Sequence, residues 1–115
     1  MRSIYTIYEN ILGTSFEMIN EEKKSLIILE IGSISFMINQ SELTNFVKSM
    51  EQIINYHKDC TCPRDLKNKM VVYQADKTEI RMKLSYDELF LLKDLLKGTK
   101  FKLEMDKILN DYRII

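Results

Sequence analysis

Tryptophan is absent from this chain of 115 residues, and the residue types that most often mark chemistry are few. There is one histidine, one proline, two cysteines and three glycines. Three scattered glycines cannot build a glycine-rich phosphate loop. With a single histidine, any histidine-based acid–base or nucleophilic chemistry must pass through His57. The scarcity of glycine and proline also argues against disorder and long flexible linkers. Excess charge of either sign is missing too, with 17 basic residues balancing 17 acidic ones. Nucleic-acid affinity rests mainly on positive charge against phosphate, so this balance removes its usual electrostatic signature. No apolar run approaches the ~18–20 residues that a membrane-spanning helix requires. The first residues, Met1-Arg2-Ser3-Ile4-Tyr5, show neither the apolar core nor the small-residue cleavage site of a signal peptide. The cytoplasm is the expected location, and no membrane association is expected.

What is rare is also gathered. The stretch "YHKDCTCPRD", residues 56–65, holds the only histidine, both cysteines and the only proline. His57, Cys60 and Cys62 offer nitrogen and sulfur ligands and are weak candidates for a metal. Structural zinc takes four ligands, commonly from two separated C-x-x-C pairs, and the sequence contains no second cluster. Redox centres place C-x-x-C at a helix N-terminus, where the dipole favours the thiolate; here C-x-C follows a helix. Pro63 biases Cys62 towards an extended conformation, and a bridge between cysteines one residue apart would close almost no loop. The stretch reads as a helix stop and a crossover. The sequence therefore predicts no catalytic residue, no cofactor and no dedicated metal site, and it does not read as an enzyme.

What is present is an ordinary folding pattern. Hydrophobic residues make up 45% and charged residues 30%, as in a globular domain, and the length suits one domain, 1–115. "IYTIYE" (4–9) and "SFEMI" (15–19) read as strands, with a turn at Leu12-Gly13-Thr14. "NEEKK" (20–24) closes a hairpin. Leu26 to Ile31 suits a central strand. Gly32-Ser33 supplies a two-residue hairpin turn, and Ile34, Phe36 and Ile38 alternate beyond it. A helix follows from about 40 to about 57, with Asn39 as N-cap and Glu42 three residues on. Its stripe is Leu43, Phe46, Val47, Met50, Ile53 and Ile54. Residues 69–75 and 78–85 read as a second hairpin around Asp76-Lys77. Ser85 and Glu88 form a capping box for a second helix that carries Leu89, Leu92, Leu95 and Leu96 and stops at Gly98. Thr99 caps a last segment, with Phe101, Met105, Ile108, Leu109 and Tyr112 at helical spacing, although a strand start at 101–105 also fits. Met50, Met82 and Met105 fall on expected core faces.

An offset of 46 residues relates the two hairpin–helix runs. Ile34 matches Ile80, Phe36 matches Met82, Ile38 matches Leu84, Asn39 matches Ser85, Glu42 matches Glu88 and Met50 matches Leu96. The pattern predicts a pseudo-repeat of ββα units, with halves of about 1–58 and 66–115. The expected fold class is α+β: an antiparallel sheet of about six strands with two to three helices on one face.

The stretches "LEIGSISFMINQSELTNFVKSM" (29–50) and "IRMKLSYDELFLLKDLL" (80–96) resemble a family of short, functionally uncharacterised bacterial proteins. That resemblance implies no activity. A second resemblance is to single-stranded nucleic-acid-binding folds of the PUR and Whirly type, built from four strands and a helix, here residues 4–39 and 40–57. It implies base stacking on the sheet, with Tyr5, Tyr8 and Phe16 as candidates. Residues 1–58 depart from it, with Arg2, Lys23, Lys24, Lys48 and Lys58 against seven acidic residues. The reading adopted is a small non-enzymatic interaction or regulatory domain, with a homodimer as the hypothesis, because the helices suffice for only one sheet face. Tyr5, Tyr8 and Tyr73 read as exposed aromatics that mark an interface.

Overall fold

Residues 3–22, 24–58, 69–75 and 78–112 are described by the structure, a computed structural model. Four strands, β1 (Ser3–Glu9), β2 (Gly13–Ile19), β3 (Ser25–Ile31) and β4 (Ile34–Ile38), pair antiparallel in chain order. The most apolar strand takes an interior place: β3 is paired on both edges, and Ile27 and Leu29 are fully buried. Gly32 adopts φ +60° in the β3–β4 turn, the left-handed backbone that two-residue hairpins demand and glycine accepts without strain. The β2–β3 turn is closed by Asn20, whose backbone N–H donates to the Lys24 carbonyl and whose side chain accepts from the Lys24 N–H.

The helix α1 (Gln40–Lys58) starts where the capping pattern places it. The Glu42 N–H donates to Asn39 Oδ1 at 2.8 Å, and the Asn39 N–H donates to Glu42 Oε1 at 3.1 Å. These bonds satisfy amides that the first helical turn would leave unpaired. Leu43, Phe46, Val47, Met50 and Ile54 are buried along one stripe. The second hairpin, β5 (Lys69–Ala75) and β6 (Thr78–Leu84), precedes α2 (Tyr86–Tyr112). The same reciprocal bonds join Ser85 and Glu88 at 2.9 and 3.2 Å. Leu89, Leu92, Leu95 and Leu96 are fully buried with the α1 stripe in one core. Each such leucine contributes about 1.5–3 kcal/mol by leaving water.

Several expectations are corrected. The six strands do not form one sheet: β5 and β6 make a separate two-stranded sheet, so the two hairpin–helix runs do not share a common sheet as symmetric halves. The hairpin is held by side chains instead. The Tyr73 ring of β5 stacks on Phe46 of α1 at 4.5 Å and lies 6.1 Å from Phe36 of β4. Tyr73 is buried, not an exposed aromatic. The first turn is Asn10–Leu12, and Gly13 already belongs to β2. Gly98 does not stop α2, which runs on to Tyr112 without a third helix or a strand start. A Cβ at Gly98 would lie 2.6 Å from Tyr8 Cζ, so the glycine makes room for a ring from β1 rather than ending a helix. Met105 is exposed, not core.

The shape follows from that continuous helix. Twenty-seven residues at 1.5 Å each give about 40 Å. The radius of gyration is 15.7 Å, against about 13 Å for a compact domain of this length. The second half of α2 extends beyond the core that its first half helps to form.

Candidate functional site

The sheet has two faces, and register assigns every residue to one of them. Ser15, Leu29 and Phe36 stand in one row. Thr99 of α2 meets Ser15, and Tyr73 bridges Phe36 to α1, so both helices cover this face. In β1 the register shifts between Thr6 and Tyr8. That bulge lets Tyr8 join the covered side although it lies two residues beyond Thr6 of the open side.

Polar groups fasten the covered face to α2. Tyr8 donates its hydroxyl to Asp94 at 2.8 Å. Asn10 Nδ2 donates to the Leu91 carbonyl at 2.8 Å and to Asp94 at 3.0 Å, while its Oδ1 accepts from the Leu12 and Gly13 amides. One asparagine thus shapes the turn and docks it. The Asp94 carboxylate that accepts from Tyr8, with burial adding to it, holds that phenol above its ordinary value. Below this lies a fully buried hydroxyl pair, Ser15 and Thr99, 2.6 Å apart. Thr99 donates its proton to the Leu95 carbonyl at 2.6 Å, and Ser15 directs its one proton to the Thr99 oxygen, with the Tyr8 carbonyl at 3.3 Å as its alternative acceptor. Burying hydroxyls is tolerable only because each is bonded. These groups are accounted for by mutual bonds within the fold.

Glu42 makes a second link. While Oε1 closes the capping box, Oε2 accepts from the Tyr73 hydroxyl at 3.0 Å. Burial, and then this carboxylate, push the Tyr73 phenol far above its ordinary range. Between the helices, Lys97 reaches Glu51 at 2.6 Å, and that ammonium holds the Glu51 carboxyl below its ordinary value.

The opposite face is where unused surface lies. Its first row is Ile4, Met18 and Leu26; its second is Thr6, Phe16, Ile28 and Met37; its third is Glu9, Thr14, Glu30 and Ser35. Two rows are mainly apolar and the third carries two carboxylates. Ile4 is 56% exposed and Met37 59% exposed, and Phe16, Leu26 and Ile28 are half-buried by their neighbours. Met18 is buried yet lies outside the main core. Among the described residues no helix packs on this face. A soluble domain rarely leaves a contiguous apolar patch open without a use for it.

A second unused surface lies on α2, where Phe101, Met105, Ile108 and Leu109 are all exposed. Their spacing makes one ridge. Beside it, a shallow groove of about 260 Å³ runs between the start of α1 and this half of α2, lined by Gln40, Leu43, Thr44, Lys100, Leu103 and Lys107 among others.

The residues singled out by sequence are not brought together. Phe16 is on the open face, whereas Tyr5 shares the row of Glu17 on the other side and Tyr8 packs against Gly98. His57 lies in the last turn of α1, but its side chain, Cys60 and Cys62 fall outside the described residues. Among the described residues no cluster of three metal-ligating side chains exists, and no helix is long and apolar enough to cross a membrane. The open face itself was partly legible, since Phe16 and Met18 alternate with Glu17. Sequence could not show that both helices take the other side. No family model, curated protein or solved structure matches this chain.

Proposed function

We propose that this chain is a small non-enzymatic interaction domain, cytoplasmic and self-associating, that works through the open face of its four-stranded sheet. The observation that carries this reading is the pair of register rows Ile4–Met18–Leu26 and Thr6–Phe16–Ile28–Met37, apolar and without a covering helix among the described residues. An antiparallel sheet with one solvated face normally alternates apolar with polar residues. Here the face away from the helices is apolar as well, which is the pattern of a surface that is covered in use. Size-exclusion chromatography with light scattering over a range of concentrations tests it, together with a pull-down on the purified chain. A strict monomer that retains no partner overturns it.

The chemistry of this face does not favour a phosphate ligand. Glu9 and Glu30 border the row that holds Phe16, and carboxylates there oppose a polyanion. Fluorescence anisotropy with labelled oligonucleotides at low salt is expected to show no binding.

A further inference from the structure

We draw no further inference here: the strongest candidate, the exposed apolar ridge of Phe101, Met105, Ile108 and Leu109 on the second half of α2, carries nothing because nothing in the structure shows what covers it.

Discussion

The run β3–β4–α1 and the run β5–β6–α2 begin from nearly the same local instructions and end in different surroundings. Each has an alternating hairpin, a reciprocal capping box and a leucine-rich or mixed apolar stripe, and both stripes enter one core. The first hairpin, however, is joined by β2 into a four-stranded sheet, whereas the second stands as its own pair, held by the Tyr73 ring. The first helix ends at Lys58, and the second continues to Tyr112 past the core. Local patterning specifies elements; which edges pair and how far a helix runs depends on neighbours remote in sequence.

The strongest test of that contrast is to cut into the shared core from both sides. Met50 and Leu96 are related by the 46-residue offset and are both fully buried. Met50→Ala and Leu96→Ala are each expected to cost about 2–5 kcal/mol in urea denaturation. A loss below about 1 kcal/mol at one site alone would mean that the two runs do not share a core equally. Next in size is the site where the runs differ most. Gly98→Ala should destabilise by about 1–3 kcal/mol, because the new methyl meets the Tyr8 ring. In a Tyr8→Ala background the sign should reverse, leaving the ~1 kcal/mol helical advantage of alanine over glycine. Its counterpart in α1, Gln52, is exposed, and Gln52→Ala should stay within about 0.5 kcal/mol of wild type.

The capping boxes give a smaller, graded effect. Glu88→Ala removes one bond to an amide and should cost about 1 kcal/mol. Glu42→Ala removes two, including the one from Tyr73, and should cost about 2 kcal/mol. Thermal melts read both, and Tyr73→Phe should add little on top of Glu42→Ala. The smallest expected effect is at the helix–helix ion pair. The folded-state Glu51 value lies below its ordinary 4.5, so its contribution is complete above that pH and fades as pH falls through the folded value. Glu51→Gln should remove that slight acid sensitivity from pH-dependent melts, and added salt should mask the difference.

Much of the local structure was legible in the sequence. Residues 69–75 read as a strand and form one, and both helix starts were readable because a cap and its partner lie three residues apart. The central place of β3 followed from its apolar run, Leu26 to Ile31, interrupted only by Glu30. What escaped notice depends on distant partners. Gly98 has the composition of a helix stop, and only the presence of Tyr8, from the opposite end of the chain, explains why it sits inside a helix. The ridge of Phe101, Met105 and Ile108 has the same period as the buried stripe of Leu89, Leu92 and Leu96. Periodicity shows that a face is apolar but not what covers it. Likewise Tyr5, Tyr8 and Phe16 could be placed on strands, while the β1 bulge and the register that separate them across two faces leave no mark in the pattern. The Ser15–Thr99 pair is visible beforehand only as two small polar residues among apolar ones.

The fastening of the Asn10 turn to α2 has a consequence for the order in which the chain can mature. Tyr8 is separated from Asp94 by 86 residues, Asn10 from Leu91 by 81, and Ser15 from Thr99 by 84. Ribosomes add about 5–20 residues each second, so the strand carrying Tyr8 waits roughly 4–17 s for the helix that receives it. During that interval β1 and β2 lack the α2 groups that fasten them, and until β3 is made they are an isolated hairpin, which is marginal in water. The earliest-made part of the molecule is therefore among the last to be secured, and folding should be slow for a chain this short, as contacts of such long range impose.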